Sequence, residues 1–311
     1  MAKYLVTGGA GFIGSNIVEV LVQKGQFVRV LDDLSTGKEE HLAPFIDKIE
    51  FQKGDIRNEE DVLKAIDGID FVIHQAALRS VAKSVEAPVI TNDVNVNGTV
   101  NLLMKCREKK IKRVVYASSS AAYGDCDVYP QAEILTPNPI SPYAVSKLAA
   151  EYYCRMFSAT MGLETVSLRY FNVFGPRQNP ESKYSAVIPA FISTLMQDKP
   201  CTIDGDGMQS RDFIYVLNVV DANITACTAE GVSGKVFNVA CGKDYSVLDV
   251  EQGIKKILKK EIEPKFGPKR PGDVQRTYAD ITQLKNVLGV TPRVDFHEGL
   301  KRTVEWFVNK G

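Results

Sequence analysis

Short, mostly continuous apolar stretches rich in β-branched residues recur through the first half of the chain: Tyr4 to Thr7, Phe27 to Leu31, Ile49 to Lys53, Phe71 to His74, Val114 to Ala117 and Thr165 to Arg169. Strands buried on both faces of a parallel sheet have this pattern, because helices cover each face. Between them, apolar positions at helical spacing predict helices over Ile13 to Gln23, Glu59 to Ala65, Val94 to Lys109 and Tyr143 to Thr160. Ser141-Pro142 introduces the last of these and reads as a helix start. The alternation predicts an α/β fold with a doubly wound parallel sheet.

Beyond residue 172 the rhythm breaks at Gly175-Pro176-Arg177-Gln178, Gly205-Asp206-Gly207 and Arg270-Pro271-Gly272-Asp273. The expectation is a first domain over 1–172 and a smaller C-terminal α/β lobe over 173–311, its segments interleaved with the first. That lobe is read as built on loops that hold a ligand against the carboxyl ends of the strands.

Composition narrows the partners. The 311 residues carry 38 Lys plus Arg against 38 Asp plus Glu, so the formal net charge is zero. Nucleic acid and anionic membrane surfaces are not expected, since both need clustered positive charge. No apolar run approaches the roughly 18 residues of a membrane-spanning helix. The chain enters a strand at Tyr4, which leaves no room for a signal peptide and predicts a cytoplasmic protein. Six cysteines without any C-x-x-C pair, beside three histidines, predict reduced thiols and no metal site.

The first chemical motif is the turn after the first strand, Gly8-Gly9-Ala10-Gly11-Phe12-Ile13-Gly14. Gly8 permits the tight turn, Gly11 lets backbone approach a pyrophosphate, and Gly14 lets helix and strand pack closely. The helix N-terminus adds N–H groups and a positive dipole. The next strand ends at Asp32-Asp33, where a carboxylate accepts from the ribose 2′-hydroxyl and repels a 2′-phosphate. A dinucleotide site of Rossmann type is expected, with NAD rather than NADP as cofactor.

The G-x-x-G-x-x-G spacing together with Tyr143-Ala144-Val145-Ser146-Lys147 resembles the extended short-chain dehydrogenase/reductase family. Tyr143 and Lys147 share a helix face. A phenol with an ordinary pKa near 10 is a poor base at neutral pH, but a nearby ammonium and an oxidised nicotinamide both favour phenolate. In this family the serine four residues before the Tyr123-Gly124 pair bonds the reacting oxygen, which implies Ser119. The resemblance therefore implies Ser119, Tyr143 and Lys147 as the catalytic set, with Ser119 and Tyr143 also touching substrate. Sugar-nucleotide 4,6-dehydratases carry Thr-Asp-Glu where this chain has Ser119-Ser120-Ala121, so acid and base for dehydration are missing here.

Further segments resemble UDP-glucose and UDP-N-acetylglucosamine (UDP-GlcNAc) 4-epimerases. The resemblance implies cofactor contacts from Phe12, Ile13, Ser35, Thr36, Gly37, Asp55, Ile56, Gln75, Ala76, Ala77 and Asn95, besides the glycines, Asp32, Asp33, Tyr143 and Lys147. Arg79 falls where UDP-glucose 4-epimerases have a lysine near the phosphates. His74 is read as structural. On the substrate side the resemblance implies Asn172 and Arg211 at the diphosphate, and Arg270 and Asp273 at phosphate and ribose, with two arginines giving charge-assisted hydrogen bonds. Thr277 and Ala186, with Val187 beside it, lie where glucose-only epimerases carry larger groups. The smaller side chains leave room for a 2-acetamido group.

What the resemblance implies is an NAD-dependent UDP-sugar 4-epimerase, an isomerase and a homodimer. It interconverts UDP-GlcNAc and UDP-N-acetylgalactosamine, and also UDP-glucose and UDP-galactose, through a 4-keto intermediate. The alternatives are a UDP-uronic acid epimerase, whose pocket places a cation near C6, and a non-catalytic dinucleotide-binding regulator, which the intact Ser119, Tyr143 and Lys147 set argues against.

Overall fold

The computed structural model describes residues 1–180, 186–269 and 274–310. In chain order its strands are β1 (Lys3–Thr7), β2 (Phe27–Asp32), β3 (Glu50–Lys53), β4 (Phe71–His74), β5 (Arg113–Ser119), β6 (Thr165–Tyr170), β7 (Asn172–Phe174), β8 (Thr202–Asp204), β9 (Ser210–Tyr215), β10 (Val236–Val239), β11 (Asp244–Ser246), β12 (Lys265–Gly267) and β13 (Arg276–Thr277). The helices are α1 (Phe12–Gln23), α2 (Glu59–Ile66), α3 (Val81–Glu86), α4 (Pro88–Asn92), α5 (Gly98–Glu108), α6 (Pro142–Thr160), α7 (Val187–Met196), α8 (Val216–Thr228), α9 (Val247–Leu258), α10 (Thr282–Asn286) and α11 (Phe296–Lys310).

Seven parallel strands form the main sheet in the order β10-β6-β5-β4-β1-β2-β3. The apolar runs are buried on both sides. Leu5, Val114 and Tyr116 pack with Leu102, Leu103 and Phe157 of α5 and α6, while Val6, Val115 and Ala117 pack on the opposite face with Ile17, Leu21, Val219 and Val220 of α1 and α8. The strand order reverses between β1 and β4, the crevice where open α/β sheets bind ligands. Thr7 sits there, paired with Leu31 on one side and His74 on the other.

Beyond residue 172 the chain divides between the main sheet and a separate lobe. β10 and α8, both beyond residue 172, join the main sheet and its helix layer. The rest is more regular than a lobe of loops. Helices α7, α9 and α11 enclose a third core around Phe174, Phe213, Tyr215 and Phe296. α9 starts from a capping box between Ser246 and Asp249, a local signal that supplies partners for otherwise unpaired N–H groups. The segment expected as one helix from Val94 is continuous, and its first turn, Asp93–Asn97, is π-helical before α5.

A small sheet completes the lobe. β9 pairs antiparallel with β11 and parallel with β13 and β7, which sets Arg211 against Thr277 and Phe213 against Asn172. Among the described residues, no helix is long and apolar enough to cross a membrane, and no group of three acidic, His or Cys side chains is placed to hold a metal. All six cysteines are free thiols.

Candidate active site

The chain leaves β1 at Thr7 and turns through Gly8 into α1. Gly8 has φ +67°, and a Cβ there would stand 2.7 Å from the Ala76 amide nitrogen. A Cβ on Gly14 would stand 2.2 Å from the Gly8 carbonyl oxygen. Only glycine lets the turn, the helix and the loop after β4 approach this closely. α1 begins at Gly11, which has no side chain to cap it. Its first residues, Phe12, Ile13 and Gly14, line a cleft of about 420 Å³ together with Gly8 and Gly11, an arrangement suited to a pyrophosphate.

Asp32 is buried at the end of β2 and accepts from the Ala10 and Leu34 amides, each at 2.9 Å. Burial raises its pKa, and those amides oppose the rise. Asp33 is exposed and accepts from the amide and hydroxyl of Ser35 at 2.9 and 2.6 Å. A carboxylate has about four acceptor sites, so both keep lone pairs for ribose hydroxyls. Ser35, Thr36, Gly37, Asp55, Ile56, Gln75, Ala76, Ala77 and Arg79 line the same cleft. The Arg57 guanidinium, 2.6 Å away, holds the Asp55 carboxyl below its ordinary pKa. The donors and acceptors thus fit a dinucleotide from pyrophosphate to ribose.

Asn95 holds the loop after β4. It lies outside the lining, buried, with Oδ1 accepting from the Leu78 amide at 2.7 Å and Nδ2 donating to the Leu78 carbonyl at 3.0 Å. An amide side chain matches a backbone peptide donor for acceptor, so Asn95 fixes the loop after β4.

β5 delivers Ser119 to the cleft. Its Oγ accepts from the Ala121 amide at 3.2 Å and starts a short 3-10 turn. Opposite, α6 opens with Ser141 as cap and Pro142 in its first turn, and the Tyr143 amide donates to Ser84 Oγ at 3.1 Å. Burial raises the pKa of the Tyr143 phenol, while the neighbouring Ser119 side chain and the charge of Arg79 pull it back. Lys147 follows one turn later, buried, with Nζ 4.5 Å from the Tyr116 ring centroid. Burial pushes its pKa down to about 7, against the opposing charge of Glu151. Ser119, Tyr143, Lys147 and the glycine turn all line one cleft.

Behind them Glu151, one turn beyond Lys147, accepts from Ser118 Oγ at 2.5 Å and from Arg169 at 2.7 and 3.0 Å. This buried group clamps α6 to the ends of β5 and β6.

On the substrate side, Asn172 lines the cleft and Thr277 donates to its Oδ1 at 3.3 Å. Arg211 donates to the Ser210 carbonyl at 2.8 Å. Ala186 is exposed at the start of α7, and Val187 is half-buried. Arg211, Ala186, Val187 and Thr277 stand outside the cleft lining. Arg270 and Asp273 lie outside the described residues.

Sequence reasoning missed Gln178. It is buried in the cleft wall; its Nε2 donates to the Val173 carbonyl at 3.2 Å, and its Oε1 has no partner among the described residues. The Gly175-Pro176-Arg177-Gln178 turn carried only a loop signal. Arg177 at φ +69° turns the chain so that Gln178 faces the same cleft as Asn172.

Comparison with known proteins adds an independent line. The sequence model described as the NAD dependent epimerase/dehydratase family matches residues 4–240. A putative UDP-glucose 4-epimerase of Methanocaldococcus jannaschii is 40% identical over 307 residues, covering 98% of each chain. Among solved structures, the UDP-N-acetylglucosamine 4-epimerase of Methanobrevibacter ruminantium is 40% identical with a TM-score of 0.95, covering 100% of this chain and 99% of that one. A Thermus thermophilus UDP-glucose 4-epimerase in complex with NAD is 37% identical with a TM-score of 0.90, covering 99% of this chain and 100% of that one.

Proposed function

The chain belongs to the NAD dependent epimerase/dehydratase family, and we propose that it is a UDP-sugar 4-epimerase that takes UDP-GlcNAc and UDP-N-acetylgalactosamine and also UDP-glucose and UDP-galactose. The observation that carries this reading is that Ser119, Tyr143 and Lys147, the last two one turn apart on α6, line the same cleft as the glycine turn. Bound NAD supplies the two-electron acceptor and donor for C4 of the sugar. Tyr143 takes the 4-hydroxyl proton and returns it; Ser119 orients that oxygen, and Lys147 and Arg79 contribute the positive charge that favours phenolate. Asn172 and Arg211 hold the diphosphate from the lobe side while C4 inverts by way of a 4-keto sugar.

Breadth toward the acetamido group rests on Ala186 and Thr277, whose small side chains leave volume where a larger one would exclude it. The same reading makes the chain a homodimer. Its support is the cluster of exposed apolar side chains on α3, α4 and α6, namely Val81, Val85, Val89, Val145, Tyr152 and Met156, a kind of surface that marks association.

Purified protein incubated separately with UDP-GlcNAc, UDP-glucose and UDP-glucuronic acid, with products resolved by chromatography, tests the reading. C4 epimers of the first two are expected. Conversion of the uronic acid alone favours a uronate epimerase, and NAD-loaded protein inert toward all three is a non-catalytic dinucleotide-binding protein.

A further inference from the structure

His74 ends β4 behind the cleft, 1% exposed. Its Nδ1 lies 2.6 Å from Thr7 Oγ1 and its Nε2 lies 2.9 Å from Thr99 Oγ1. Thr99 has one hydroxyl proton, and that proton goes to the Asn95 carbonyl at 2.7 Å. At the Thr99 oxygen His74 therefore donates, which assigns the ring proton to Nε2. Nδ1 is then the acceptor for Thr7, whose oxygen in turn accepts from the Ala76 amide at 3.3 Å. Burial pushes the ring's pKa down to about 3, so the imidazole stays neutral and each nitrogen keeps one role.

Both ends of this chain of bonds reach the site. Thr7 is the last residue before Gly8, and Ala76 belongs to the loop packed against that turn. At the other end Asn95, in the π-helical turn, grips Leu78 and also donates from Nδ2 to Ser146 Oγ at 3.0 Å. Ser146 Oγ donates to the carbonyl of Tyr143 at 2.8 Å. Thr7, His74, Asn95, Thr99 and Ser146 are all buried. Single π turns recur at functional sites, and this one places an amide between the cofactor loop and the helix that carries the phenol.

We propose that Thr7, His74, Thr99, Asn95 and Ser146 form a positioning relay that sets the separation between the dinucleotide turn and the Tyr143 phenol, an inference that rests on reading the cleft as an epimerase site. His74 touches neither the cleft nor its ligands and passes no proton to them. Its contribution is a rigid ring with an acceptor at one end and a donor at the other, bridging two hydroxyls on different elements. Misplacement of about 1 Å at a reacting centre is enough to cost rate heavily.

Thr99→Val keeps the side-chain shape and removes the hydroxyl; Thr99→Ser keeps the hydroxyl. For Thr99→Val, kcat falls about tenfold and direct calorimetric titration with NAD shows affinity about tenfold weaker, while the UDP-sugar KM stays within about threefold. The limbs of its pH profile stay in place, and Thr99→Ser returns kcat and NAD affinity to within about threefold of the parent. Ser146→Ala, a smaller change at the far end, lowers kcat about fivefold and serves if Thr99→Val does not fold. The relay is overturned if folded Thr99→Val, or Ser146→Ala in its place, turns over like the parent, or if Thr99→Ser is no better than Thr99→Val. If the parent epimerises nothing, the epimerase reading fails on its own, and the relay is then judged from the NAD titrations alone, where loss and rescue support it and unchanged affinity overturns it.

Discussion

Thr277 donates a hydrogen bond to Oδ1 of Asn172 across 105 residues of sequence. The position expected to set sugar size thus holds the side chain expected to grip the diphosphate, so one substitution acts on both. Thr277→Tyr is expected to lower kcat/KM for UDP-GlcNAc about tenfold or more beyond its effect on UDP-glucose, which loses only the few-fold that the missing bond to Asn172 costs. Thr277→Val removes only the bond and raises KM for both sugars a few-fold. Equal losses on both sugars in Thr277→Tyr contradict the steric role.

Removing the phenol oxygen separates binding from chemistry. Tyr143→Phe is expected to lower turnover at least about 100-fold, the usual contribution of a positioned acid–base group, while UDP-sugar affinity measured by calorimetry stays within about threefold. Parental turnover in this variant would falsify the proton-transfer role of Tyr143.

Gly14 tests the nucleotide turn. Its absent Cβ would lie 2.2 Å from a backbone oxygen, so Gly14→Ala forces α1 away from Gly8 and is expected to weaken NAD binding at least about tenfold. Fluorescence titration with NAD decides it, and unchanged affinity means the close approach is dispensable.

The buried clamp behind the site is a stability matter. Glu151→Gln leaves the Arg169 guanidinium, over the Tyr123 ring at 4.8 Å, without its charge partner, at a cost of about 3 kcal/mol. Replacing both, as Glu151→Met with Arg169→Met, is expected to cost less than the two single changes summed. Denaturant unfolding measures all three, and strict additivity argues against a coupled pair.

Acid sensitivity follows from His74. Its folded pKa, about 3, lies below the ordinary 6.5 because burial opposes the charged ring, with the charge of Lys147 adding to the effect. Between those values the unfolded chain binds a proton that the native state refuses. Stability from this group is therefore complete above pH 6.5 and is lost as pH falls toward 3, by about 1.4 kcal/mol per pH unit. In His74→Leu that slope is absent, so its Tm falls less steeply than the parent's between pH 6.5 and 5. Parallel Tm curves refute the assignment.

What the chain's lettering determined is whatever depends on neighbours within a few residues. Burial on two faces makes strands such as β5 continuously apolar, a tight turn needs Gly8, and a four-residue spacing puts Tyr143 and Lys147 on one helix face. The six strands of the first half and the segments lining the nucleotide cleft were legible for that reason. Gln178 was not, because a loop's direction depends on what it packs against. The Asn95 motif marks a place in the chain, but only the fold shows that its amide grips the Leu78 backbone.

Tertiary structure alone decided that β10 closes the main sheet, that β9 aligns Arg211 with Thr277, and that His74 bridges Thr7 and Thr99. Such pairings are set by strand register and by helix packing between segments far apart in sequence. Side-chain periodicity fixes which face of an element is apolar, but the energy that selects its partner comes from the complementary surface, which exists only once the chain has folded.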